Sequence, residues 1–478
     1  MTARVGLPPW LPTAGFVAIA AALGGVAGID PNVAVGISVA LAFVLLTLAQ
    51  LRAGLIAFVL LAFLEFLFPG GYFVSVTKIA GAVLALAWVA KIATSRQRDD
   101  FFSSHPAAAY ALIAFLGWGA ISVLWSASSD ETWLELSRYI LVIALFVITY
   151  SALRSRRDAF WLFGAFLVGT VITTVYGLVN RPSASPEELV RVASSVGNPN
   201  VLAMVLVAGL ALSFGAVIAC KHAPLARAAA SLTALLCLIS LVFTGSRSGV
   251  VSLALALITW VLVAGRWRAQ AVAGTLAIAL ASLALFVTLA PPEIRERIVQ
   301  TTPGQASASS EGRVTLWQIA WRMVEDRPLT GVGLGSFQTS SVEYVLQPGA
   351  LGRTDQVIDN PEIVHNVYLQ GFAETGAVGG LLLLALFGFP VACALRAAKN
   401  FERSGDLELE IMSRALVVAL VGMLASNFFA SETFNKLLWL LLGTAVALLA
   451  ISRGSLAGGD QRATRAGSAR GEAAYKSS

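Results

Sequence analysis

The sequence predicts an all-α polytopic membrane protein, and three observations carry that prediction. Of 478 residues, 57% are hydrophobic and only 13% charged, against about 25% charged in a typical soluble chain. Mean hydropathy is +0.78, and a chain this apolar cannot cover its surface with polar groups in water. The apolar residues also come in long unbroken runs, such as Gly376 to Leu395, rather than in the alternation of a membrane barrel. Lipid offers backbone groups no partner, so such runs close their hydrogen bonds as helices.

A window of about 20 residues finds about fourteen apolar segments. They begin near Trp10, Val33, Gly54, Ile79, Pro106, Leu134, Ala159, Val201, Ala229, Gly249, Ala271, Asn366, Ile411 and Phe434. The pairs beginning at Val33 and Gly54 and at Ala229 and Gly249 are short enough to be re-entrant, which leaves about twelve to fourteen transmembrane helices. The first segment is read as an uncleaved span, because its approach lacks the Lys/Arg-rich region of a signal peptide.

Charge sets the orientation. With the N-terminus inside, every second loop is basic: Arg52; Lys91, Arg96 and Arg98; Arg154, Arg156 and Arg157; Lys221 and Arg227; Arg266 and Arg268; Arg396, Lys399 and Arg403. The intervening short turns at Asp30 to Asn32, Ser126 to Glu131 and Ser431 to Glu432 are poor in Lys and Arg. The positive-inside rule therefore places both termini in the cytoplasm and accounts for the net charge of +6 without nucleic acid. Four regions result: N-terminal transmembrane helices with short loops over 1–290, one large periplasmic loop over 291–365, C-terminal transmembrane helices over 366–453, and a disordered cytoplasmic tail over 454–478. No internal repeat or matched pair of broken segments suggests an inverted-repeat transporter.

Cations on the outer side run against that rule. Arg181 and Arg191 lie in the loop ending Gly197-Asn198-Pro199-Asn200, Arg247 in the tight turn Thr244-Gly245-Ser246-Arg247, and Arg295, Arg297, Arg313, Arg322, Arg327 and Arg353 in the long loop. All are Arg, whose fixed planar fork suits phosphate or diphosphate oxygens. Arg295, Arg297, Arg322 and Arg327 have acidic neighbours and read as surface pairs. Arg247 has none, while Arg191 has Glu187 and Glu188 within one helical turn, so a local ion pair stays open there. In the long loop, Arg313 to Val324 reads as an interfacial amphipathic helix with Val314, Trp317, Ala320, Trp321 and Val324 on its apolar stripe. The glycines of Gly331-Val332-Gly333-Leu334-Gly335 follow no strand of a βαβ unit and read as a flexible turn.

Three histidines occur. His105 and His222 sit beside inner loops, whereas His365 opens an apolar helix on the arginine-bearing side, where imidazole would serve as a general base. Glu65 and Glu374 interrupt apolar segments, and no role is assigned to Glu374. Outer carboxylates such as Asp355, Asp359 and Glu362 are scattered, so no metal site and no cofactor are expected. Cys220, Cys237 and Cys393 read as buried thiols.

Four motifs in order resemble the O-antigen ligase family and its relatives, the O-antigen polymerases and protein O-oligosaccharyltransferases. They are Arg191 with Gly197-Asn198-Pro199-Asn200; Thr244-Gly245-Ser246-Arg247; Arg313-x-x-x-Trp317 followed by Pro328-Leu329-Thr330-Gly331-Val332-Gly333; and His365-Asn366 with Gly376 and Gly379. The resemblance covers about Arg191 to Gly380. It implies a GT-C-like membrane glycosyltransferase that moves a glycan from undecaprenyl diphosphate to a lipid A-core sugar at the periplasmic face of the bacterial inner membrane. His365 would be the base and Arg191, Arg247 and Arg313 the diphosphate clamp, with inversion and without metal. Polymerase and oligosaccharyltransferase activities stand as alternatives, and an anionic-lipid transporter as a more distant one.

Overall fold

The computed structural model describes residues 27–28, 30–65, 76–94, 101–180, 191–192, 198–299, 308–349, 351–352, 354–358 and 362–476. Trp10, Arg181, Glu187, Glu188, Arg353 and Asp359 lie outside that set. The chain is helical throughout the described residues, in the order α1 (Pro31–Ala49), α2 (Leu51–Phe63), α3 (Val76–Thr94), α4 (Pro106–Ile121), α5 (Ser129–Ala152), α6 (Arg156–Val179), α7 (Pro199–Ala219), α8 (Pro224–Thr244), α9 (Arg247–Val263) and α10 (Arg268–Leu289). After α10 come α11 (Pro292–Val299), α12 (Ala308–Asp326) and α13 (Phe337–Val345), then α14 (Val367–Ser404), α15 (Leu407–Ser426) and α16 (Lys436–Lys476). Among the described residues, 10 helices are long and apolar enough to cross a membrane, and three shorter apolar helices accompany them. These thirteen match the segments read from hydropathy after the first, which lies outside the described residues.

The pair read as re-entrant at Ala229 and Gly249 does not fold back. Gly245, at φ +55, caps α8, and Ser246 starts α9 by accepting a hydrogen bond from Gly249 N–H. From this turn α8 packs on α7 while α9 packs on α15. The first pair is shorter: α2 has 13 residues, about 20 Å of helix, and follows α1 after the single residue Gln50.

Small residues decide which helices sit innermost. A Cβ on Gly215 of α7 would lie 2.5 Å from the Cβ of Ala415 on α15, so these two helices touch almost backbone to backbone. Together with the start of α16 they are buried nearly all round, whereas α10 lies at the periphery with its apolar residues outward, the surface a lipid would cover.

The loops sort to two ends. At the basic end Arg52 pairs with Asp158 at 3.1 Å, Arg156 with Glu408, Arg266 with Glu410, and Arg414 with Glu402 at 2.8 Å. At the opposite end Asn200 accepts from Ser246 Oγ, Ser126 Oγ lies 2.6 Å from Ser336 Oγ, and Val367 N–H donates to Asn427 O. Glu65, which seemed stranded in an apolar run, ends α2 at that face, paired with Lys436 Nζ at 2.6 Å and accepting from Thr77. His105 is a buried helix N-cap ringed by Phe101, Tyr150 and Phe389 rather than a loop residue. Helix α16 runs to Lys476, into the stretch read from the sequence as a tail.

The segment 291–365 builds its own small core from Leu316, Ile319, Ala320 and Met323 of α12 with Val332, Phe337 and Tyr344, and closes it on Ala373 of α14. The apolar stripe read from the sequence divides: Ala320 is buried with Leu316, Ile319 and Met323, Trp317 and Val324 pack against this core, and Val314 and Trp321 are exposed.

Candidate functional site

The glycine-rich turn is a fixed clamp, not a flexible connection. Helix α14 breaks at Gly376, with φ +63 and ψ −168, which frees backbone groups in an apolar setting. Residues 328–335 run beside the break and satisfy them: Val332 N–H donates to Ala373 O, Gly333 N–H to Glu374 O, and Ala377 N–H to Pro328 O. Contact is so close that a Cβ on Gly331 would meet Glu374 backbone at 2.4 Å and one on Gly376 would meet Leu329 backbone at 2.2 Å. Trp118 Nε1–H closes the seam on Thr375 O at 2.8 Å. Glu374 is buried within it, accepting from Gly335 N–H and from Gln370 Nε2–H, both at 3.0 Å.

The clamp fixes the entry to α14, where His365 sits. His365 has φ +54, the only non-glycine residue with positive φ among those described, a conformation costing about 1–2 kcal/mol. The neighbours on both sides hold it there. Trp317 Nε1–H donates to Val364 O at 3.0 Å, and Asn366 Oδ1 accepts from Tyr368 and Leu369 N–H to cap the helix. The spacing Arg313-x-x-x-Trp317 thus has a physical meaning. One turn of α12 brings Trp317 to Val364 and Arg313 into electrostatic range of His365 and Glu362.

His365 Nε2 lies 3.5 Å from Glu362 Oε2. Burial lowers the imidazole pKa below its usual value, the nearby Arg313 charge lowers it further, and Glu362 opposes both. The ring is therefore predominantly neutral near pH 7 and can take a proton. Arg313 is itself lowered by burial and by the charges of Arg297 and Arg247, with Glu362 acting the other way. Arg313 thus lies in electrostatic range of two further guanidiniums in a partly buried setting, where an anion would relieve their repulsion.

The other predicted arginines are anchored at the neighbouring turn. Arg247 Nε–H donates to Arg297 O at 2.8 Å, and Arg191 Nε–H donates to Thr244 O at 2.9 Å. Ser246 Oγ–H donates to Asn200 Oδ1 at 2.8 Å, joining two motifs far apart in sequence. Arg313 is thus in electrostatic range of Arg247 on one side and of His365 on the other, and Arg191 is held beside the turn that carries Arg247. Sequence reasoning missed Arg297. Its acidic neighbours suggested a surface pair, yet α11 folds it toward Arg247 and Arg313. The neighbouring expectations divide: Arg327 lies 3.6 Å from Asp326, but Arg295 donates to Ala290 O and Arg322 to Tyr344 O.

These features define an all-helical polytopic membrane protein whose extramembrane unit presents an arginine cluster and a histidine at one end of the bundle. Residues 232–384 match the family model described as O-antigen ligase. The matched stretch contains Arg247, Arg313, the glycine clamp and His365, and stops short of Arg191. No curated protein matches the chain.

Proposed function

We propose that this protein is an O-antigen ligase, transferring a glycan from undecaprenyl diphosphate to a sugar hydroxyl of a lipid A-core acceptor. The reaction would take place at the periplasmic face of the bacterial inner membrane. The observation that carries the reading is that Arg313 lies in electrostatic range of the His365–Glu362 pair on one side and of Arg247 and Arg297 on the other. A lipid-linked diphosphate needs both an apolar approach and fixed cations at the membrane border, and the peripheral helix α10 leads directly into α11, which carries Arg297.

In the proposed step the acceptor hydroxyl oxygen attacks the anomeric carbon while His365 takes the hydroxyl proton. The bond from that carbon to the diphosphate oxygen breaks, and its electron pair leaves with undecaprenyl diphosphate. Arg191, Arg247 and Arg313 stabilise the departing charge, and direct displacement inverts the anomeric centre. The arginines occupy the place a divalent cation would otherwise fill, so transfer should continue in chelator.

The test is purified protein with a lipid-linked glycan, with and without lipid A-core. Glycan is expected on the core in the presence of chelator, and no transfer by His365→Ala of unchanged thermal stability. Lengthening of the donor without core would instead make the protein a polymerase, and movement of the donor across a bilayer without transfer would make it a transporter.

A further inference from the structure

A second recess lies beside the arginine site, among α5, the first turns of α14 and the loop between α15 and α16. It has a volume of about 120 Å³. Ile363 and Val367 line it, two residues to either side of His365, hence within about 8 Å along the backbone. Its chemistry differs from that of the arginine cluster. Glu135 and Glu374 line it against a single cation, Arg138, which pairs with Glu135 at 2.9 Å and lies over the Phe434 ring. Arg138 is already paired with Glu135, so the recess offers a diphosphate no charge-assisted clamp.

The walls carry unused hydrogen-bonding capacity. Gln370 Oε1 and Ser431 Oγ are both buried, both belong to lining residues, and neither has a hydrogen-bond partner among the described residues. Buried polar atoms are costly unless satisfied. Behind the same wall Val367 donates to Asn427 O, and the fully buried Asn427 amide also leaves both side-chain atoms unpartnered. Tyr139 and Phe434 pack edge to face at 4.7 Å and supply the aromatic side of the recess.

Carboxylate and amide oxygens beside an aromatic wall suit a neutral polyol, whose hydroxyls donate and whose C–H face packs on rings. We infer that this cavity binds one neutral sugar ring of the acceptor and presents the adjoining hydroxyl to His365, with Gln370 and Ser431 selecting the sugar. The inference rests on the transfer reaction proposed above and names a subsite for it.

The test is kinetic, on full-length protein in lipid nanodiscs, with Gln370→Leu and Ser431→Val measured separately. Each variant should raise the acceptor KM by about five- to tenfold, change the donor KM by less than about twofold, and leave the pH dependence in place. A soluble core oligosaccharide lacking lipid A should bind wild type and bind each variant more weakly by calorimetry. Unchanged acceptor KM in both folded variants would overturn the inference, as would a parallel rise in donor KM, which would give the cavity to the donor glycan. If wild type fails to glycosylate the core at all, the transfer reading itself fails, and the binding measurement still decides whether the cavity takes sugar.

Discussion

At the residue scale the proposed chemistry turns on how His365 is kept neutral. Its pKa is lowered by burial first and by Arg313 second, and raised by Glu362. A base works deprotonated, so a lowered value keeps it active as pH falls past about 6.5. The acid limb of kcat/KM should therefore lie below that pH. Arg313→Gln removes a charge that disfavours imidazolium and should move the limb to higher pH, whereas Glu362→Gln removes a charge that favours it and should move the limb lower. Limbs that coincide in all three proteins would deny His365 the role of base. The arginines make a separate prediction. Losing one charge-assisted contact in a site of this kind costs about 30- to 1,000-fold in rate, so Arg247→Ala and Arg297→Ala should each fall in that range. Arg247→Lys should recover only part of it, because an ammonium lacks the planar fork. Full activity in Arg297→Ala would return that residue to the surface pairing its sequence neighbours suggested.

At the element scale the decisive feature is the break in α14 and the loop that fills it. Gly376 needs a positive φ and leaves no room for a Cβ, with Leu329 backbone 2.2 Å away. Gly376→Ala should lose about 2–4 kcal/mol of stability, seen as a lower half-inactivation temperature in detergent. Gly388, in the same helix, meets nothing within 4 Å, so Gly388→Ala should be close to neutral and serves as the control. Equal thermal behaviour of the two variants would remove the clamp from the account. Sequence displays these glycines but not their meaning. A helical window reads Asn366 onward as one apolar segment, and Gly331-Val332-Gly333 reads as a loop, because the pairing between them is a contact across more than forty residues. The apolar stripe of α12 reads as interfacial, and Val314 and Trp321 do face outward; what the stripe does not show is the second apolar row, Leu316, Ile319 and Met323, which packs a core of its own.

At the scale of the whole molecule, hydropathy and charge were enough to order the spans, because a bilayer constrains length and loop charge more strongly than it constrains side-chain packing. The same simplicity hides the site. Arg191, Arg247, Arg313 and His365 come from four separate stretches, and nothing local in sequence states that Arg313 lies between Arg247 and His365; the arginines stand out because cations on that side break a rule the other loops obey. Glu374 and Gln370 broke no such rule in a readable way, since an intramembrane carboxylate signals importance without naming a partner. The grouping of Arg52, Asp158, Arg156, Glu408, Arg266 and Glu410 at one end, and of the arginine site at the other, agrees with the alternation of loops. It does not itself say which end faces the cytoplasm, and the loop charges make that prediction. In a background with Cys220, Cys237 and Cys393 replaced, single cysteines at Ser129 and Thr339, both exposed at the site end, should react in intact cells with a membrane-impermeant thiol reagent. A cysteine at His222, exposed at the basic end, should react only after the membrane is opened. Labelling of His222→Cys in intact cells, with Ser129→Cys and Thr339→Cys silent, would turn the molecule over and put His365 and its arginines on the side where lipid A-core sugars on the periplasmic leaflet cannot reach them.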